Sequence, residues 1–184
     1  MTDNRTPDEK RQAVVFAARH RYTQQTFHID GSSELYTGDP FDLPKGVSPR
    51  LDPRARWELW RYVLPPGWSD AQVDQYQFKH WCGGFWLASL KDAGLALEIF
   101  WKDGQGFAEP HRLKHTTKPQ PGDGAWFVQN SHYAVIEATR GNMFDSIDGN
   151  QGKTLQQPAI GVRSRLLSAA HTFYSIETLL EVAP

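Results

Sequence analysis

His80-Trp81-Cys82-Gly83-Gly84-Phe85-Trp86-Leu87-Ala88-Ser89-Leu90 is the stretch on which the reading of this chain turns. Cys82, Phe85, Trp86, Ser89 and Leu90 recur at i, i+3, i+4, i+7 and i+8, which is one face of a helix, and Gly94 follows as its C-cap. The only cysteine of the chain therefore stands at a helix N-terminus, where the backbone dipole favours a thiolate. Beyond this helix the period changes. Residues 125–128, 132–138, 142–148, 159–166 and 172–176 are short runs bounded by Gly, Asn, Ser or Pro, as antiparallel strands are.

Upstream, Pro7-Asp8-Glu9 opens a helix over about residues 8–22. Trp57, Trp60 and Leu64 share a face of a second helix over 55–64, which stops at Pro65-Pro66-Gly67. Ser69 caps a third that runs to about Gln77. Residues 31–53 read as a long loop rich in Gly, Pro, Ser and Asp. Helices first and strands afterwards predict an α+β domain, with the helices packed on one side of an antiparallel sheet.

The 184 residues suit a single domain over 1–184, with 1–8 a frayed end and the functional core at about 69–176. Twenty basic and twenty-one acidic side chains leave a net charge of −1 and no basic block, which argues against nucleic acid as a partner. One cysteine cannot form an internal disulfide, so the core must hold the fold. The polar start and the short apolar stretch after it predict no signal peptide and no membrane span, hence synthesis in the cytoplasm.

Each candidate side chain has a plain structural reading beside a chemical one. A lone cysteine is commonly a small core residue, and Cys82 shares its face with Phe85 and Trp86. Gly83 and Gly84, however, cost about 1 kcal/mol each relative to alanine in a helix. Close approach of a substrate backbone to the thiol would account for them. Alternation places His132, Ala134 and Ile136 on one strand face, expected to be the helix-covered one, so that His132 points at Cys82 as a general base. Asp148 and Asn150 have a hairpin-turn reading in Asp148-Gly149-Asn150. Either could instead accept the Nδ1 proton of His132 and leave Nε2 facing sulfur, and the charged Asp148 is preferred by a narrow margin. His111 and His115 lack partners for a metal set and read as surface residues. Trp81 and Trp101 could wall a cleft for a sugar or peptide.

From Trp81 to Ser175 the chain resembles the CHAP and NlpC-type papain-like amidohydrolases that cut bacterial cell-wall peptides. The resemblance rests on Trp81-Cys82-Gly83 with Phe85, on Pro121-Gly122-Asp123 leading into Ala125-Trp126-Phe127, on His132-Tyr133-Ala134-Val135-Ile136-Glu137, and on Ser146-Ile147-Asp148-Gly149-Asn150-Gln151-Gly152. It implies a papain-like fold, Cys82 as nucleophile, His132 as base, and Asp148 or Asn150 as the group that orients the ring. CHAP members often carry Glu-Gly-Asn where this chain has Asp148-Gly149-Asn150. The oxyanion hole would use the Cys82 N–H with Gln77 as a side-chain donor, and Trp81, Gly83 and Trp101 would contact substrate. Asp70 and Asp74 are too sparse for the calcium site of some relatives, so no metal and no cofactor are expected.

The resulting expectation is a peptidoglycan amidase or endopeptidase acting in the periplasm or cell wall. It would be a toxin delivered by a secretion system and matched by an immunity protein, or a phage lysis enzyme. A papain-like protease or deamidase acting on a protein, and a non-catalytic binding module of the same fold, are the alternatives.

Overall fold

The computed structural model describes residues 3–76, 79–102, 106–108, 111, 113–151 and 159–181. Helix α1 spans Pro7–Thr23, opened by a capping box in which Thr6 and Glu9 each satisfy the other's backbone N–H. Pro7 and Asp8 are thus already helical, and the expected frayed end stops short of them. Strands β1 (Thr26–Ile29) and β2 (Val47–Arg50) pair antiparallel as a two-stranded sheet. β2 falls where a loop was expected, because Val47-Ser48-Pro49-Arg50 has neither alternation nor a tolerance for interior ladder bonds at Pro49. Helix α2 (Pro53–Val63) is capped by the Asp52 carboxylate accepting from the Arg54 N–H at 2.7 Å. Helix α3 (Asp70–Asp74) begins at Ser69 with its own capping box to Gln72. Gln77 lies outside the described residues.

Helix α4 spans Cys82–Asp92, and Gly94 beyond it takes φ +78°, as its place after the helix end requires. Six strands follow: β3 (His115–Thr116), β4 (Gly124–Phe127), β5 (His132–Arg140), β6 (Met143–Gln151), β7 (Ala159–Leu166) and β8 (Thr172–Tyr174). They form one sheet in the order β3-β8-β4-β5-β6-β7, and every neighbouring pair is antiparallel. A short helix α5 (Glu177–Leu180) comes last. The chain is α+β, with helices on an antiparallel sheet. Among the described residues no helix is long and apolar enough to cross a membrane.

Helix α4 lies close on the backbone of two strands. A Cβ on Gly124 would sit 2.3 Å from the Trp86 ring, and one on Gly149 would sit 2.6 Å from the Phe85 Cβ. Phe85 and Trp86 bury with Val135, Ile147 and Ile160 in the main core. A second, smaller cluster of Ala125, Ala134, Ile136, Phe144 and Phe173 forms on the other face of the sheet. This inverts the expected phase of β5: Tyr133 and Val135 face the helix, while Ala134 and Ile136 face away. Ala134, Val135 and Ile136 are all fully buried, and a strand covered on both faces carries no alternation from which the phase can be read.

Asp123, in the Pro121-Gly122-Asp123 run, is structural. Its buried carboxylate pairs with Arg11 of α1 at 2.7 Å and accepts from the N–H of Ile176 at 3.0 Å, tying both ends of the chain to β4.

Candidate functional site

The β5–β6 ladder runs from Val135↔Ile147 to Arg140↔Met143, so His132 and Tyr133 precede its first pair. The N-terminus of α4 meets β5 at this end. Cys82 Sγ accepts from the Tyr133 N–H at 3.4 Å and lies 3.8 Å from the Ser131 carbonyl oxygen, so the sulfur spans the backbone on both sides of His132. Cys82 is only 3% exposed, yet it belongs to neither apolar cluster, and the partners of its sulfur are polar.

His132 opens β5 and is 9% exposed. Its Nε2 lies 3.3 Å from Asp148 Oδ2, and Cys82 is a second hydrogen-bonding neighbour of the ring. The nitrogens are reversed from the expected assignment. Nε2 takes the carboxylate, which leaves Nδ1 as the nitrogen available to sulfur. An imidazolium donates from both nitrogens, so one ring can serve a sulfur and a carboxylate together.

Asp148 is fully buried in β6. Arg165 of β7 grips it with both guanidinium nitrogens, Nη2 on Oδ2 and Nη1 on Oδ1 at 3.2 Å. Ser146 donates its hydroxyl to Oδ1 at 2.7 Å. The Arg165 guanidinium also lies over the Phe127 ring, 4.9 Å from its centroid, and Phe127 in turn packs on His132. Burial works against charge on His132, but the hydrogen bonds and charges of Asp148 and Cys82 outweigh it and raise the ring to a pKa of about 9. Burial likewise works against the Asp148 carboxylate. Hydrogen bonds and charges from His132 and Arg165 outweigh it and hold the group below the usual carboxylate range. At neutral pH a buried carboxylate is thus shared between two cations.

Arg165 and Ser146 are the members of this network that the sequence did not announce. Arg165 stands 17 residues beyond Asp148, in a strand whose neighbours Arg163 and Ser164 are exposed, and its pattern is that of a solvated edge. Only the pairing of β6 with β7, Phe144 opposite Arg165, brings it under Asp148.

Asn150 does not orient His132. The β6–β7 register shifts between Asp148 and Gln151, and Asn150 there takes φ +60° with its Nδ2 at 2.9 Å from Nδ1 of His80. Gly83 and Gly84 have packing reasons in place of the substrate approach expected of them. A Cβ on Gly83 would sit 2.6 Å from the Trp101 ring and 3.1 Å from Tyr133, and one on Gly84 would sit 3.2 Å from Leu59 of α2. Trp81 is fully buried, so it cannot wall a cleft. Trp101 is half-buried, stacked edgewise on Trp60 with ring centroids 5.5 Å apart, and roofs the first turn of α4. His111 and His115 are exposed, as expected.

Comparisons with protein-family models, with curated proteins and with solved structures found no match to this chain.

Proposed function

We propose that the protein is a cysteine-dependent amidohydrolase of papain-like type that cuts peptide or N-acyl amide bonds of peptidoglycan, acting as a delivered antibacterial toxin or a phage lysis enzyme. The observation that carries the chemistry is the buried series Cys82, His132 and Asp148, closed by the half-buried Arg165, in which sulfur and carboxylate flank one imidazole. Such a series suits acyl transfer. The thiolate attacks the amide carbonyl carbon, the carbonyl oxygen takes the negative charge, and His132 gives its Nδ1 proton to the leaving amine as the C–N bond breaks. His132 then takes a proton from water, whose oxygen displaces sulfur from the acyl carbon and releases the acid. The cell-wall substrate rests on the resemblance of the motifs around Cys82, His132 and Asp148.

The test is digestion of purified peptidoglycan followed by mass spectrometry of the soluble fragments. New amine and carboxyl ends should appear with the wild type and not with Cys82→Ala. Identical fragment patterns from the two proteins would end this reading.

The low exposure of Cys82 favours a second reading, a binding module in which the thiol is only packed. Iodoacetamide separates the two, since an activated thiolate in a cleft alkylates quickly near pH 7 and an occluded thiol does not.

A further inference from the structure

A second side-chain pair flanks the start of α4 and has no part in the His132 network. We infer that His80, held by Asn150, is the side-chain donor to the oxyanion formed when Cys82 attacks an acyl carbon. The inference rests on the hydrolase reading above.

Regular alternation would put Asn150 on the same face as Asp148. The register shift between Asp148 and Gln151 breaks that alternation, and a bulge of this kind re-aims a side chain. Asn150 meets the shift with a left-handed backbone, which asparagine adopts more readily than most residues other than glycine. Between the two, Gly149 lies directly against Trp81 and Phe85, where a Cβ would come within 2.9 Å and 2.6 Å of their atoms. Strand β6 and the start of α4 are therefore in contact on the side where Asn150 reaches His80, two residues before the sulfur.

The hydrogen bond also sets the ring. With Asn150 Nδ2 donating to Nδ1 at 2.9 Å, the ring hydrogen sits on Nε2, and His80 is exposed. An exposed N–H donor beside the helix start complements the Cys82 backbone N–H, the other donor that an oxyanion at this position would meet.

The experiment compares two reactions of Cys82 in the full chain. Acylation by p-nitrophenyl acetate forms an S–C bond, passes through an oxyanion and expels nitrophenolate. Alkylation by iodoacetamide forms an S–C bond at a saturated carbon, expels iodide and develops no oxyanion. His80→Ala should slow acylation by about a hundredfold. His80→Gln should recover part of that loss, Asn150→Ala should show a smaller one, and alkylation should match wild type in all three. Acylation of His80→Ala within about twofold of wild type would overturn the assignment. So would parallel loss of both rates, which would make His80 a support for the helix start. A wild-type protein that is alkylated but never acylated would instead remove the hydrolase reading, and this assignment with it.

Discussion

The two faces of the six-stranded sheet are built on opposite principles. On the helix side, α4 presses Phe85 and Trp86 onto Val135 and Ile147, with Gly124 and Gly149 clearing the space. The stabilisation there is apolar burial at close-packed density, and each contact is replaceable by another of similar volume. The opposite face has a small apolar cluster, and beside it stand the buried polar groups His132, Ser146 and Asp148 with the half-buried Arg165. These are held by mutual pairing, so loss of one strands another as an unpaired buried charge. The helix face positions the sulfur and the other face supplies the charges, and the two meet only at the β5 end that carries His132.

This contrast orders the expected effects of substitution. Cys82→Ala should abolish peptidoglycan cleavage at a stability cost of about 1 kcal/mol, measured by fragment release and by denaturant melts. Retained activity breaks the thiol chemistry, and a protein that fails to fold returns Cys82 to the core. His132→Ala should lower the cleavage rate by several orders of magnitude while leaving the helix face intact by circular dichroism.

Asp148→Asn should act on both rate and stability. It removes the charge that raises the ring, so the loss of activity at high pH, expected near pH 9 in wild type, should move toward neutrality. It also leaves the Arg165 guanidinium without its carboxylate, which should cost about 3 kcal/mol or more in a urea melt. A profile and a melt that both match wild type would remove Asp148 from the chemistry and from the charge balance of the site. Arg165→Met should shift the same limb of the profile upward, because it deletes a cation near His132. The smallest effect on chemistry is expected from Gly124→Ala. Its Cβ would collide with Trp86, so stability should fall by about 1–3 kcal/mol while the rate per folded molecule stays near wild type.

Stability should also follow pH in a predictable way. His132 has its pKa raised, so its contribution is fully present below the ordinary histidine value and is lost as pH rises through about 9. Asp148 has its pKa lowered, so its contribution is present above the ordinary carboxylate value and is lost as pH falls through the lowered one. Thermal melts of His132→Ala should lack the alkaline loss.

Much of this arrangement was legible in the chain. Helix α4 followed from the spacing of Cys82, Phe85, Trp86, Ser89 and Leu90, and β4 to β8 from short runs between turn residues. What stayed hidden needs tertiary contact to see. The phase of β5 is masked because both its faces are buried. Arg165 reads as a surface charge until β7 is laid beside β6. Gly83 and Gly84 signal close approach, but the sequence cannot say that Trp101 and α2 do the approaching. Asp148 and Asn150 stand two apart, and in the sequence only its charge favours Asp148, by a narrow margin; the register shift between them sends one to His132 and the other to His80.

The claim that Cys82, His132 and Asp148 act as one unit is tested most directly by the pH dependence of Cys82 alkylation with iodoacetamide, in wild type beside His132→Ala. Cys82 is the only thiol, so the signal has one source. Wild type should alkylate much faster than His132→Ala near pH 7, where the imidazolium beside the sulfur favours the thiolate, and the two rates should draw together as pH rises through about 9 and His132 loses its proton. Superimposable profiles for the two proteins would contradict the account.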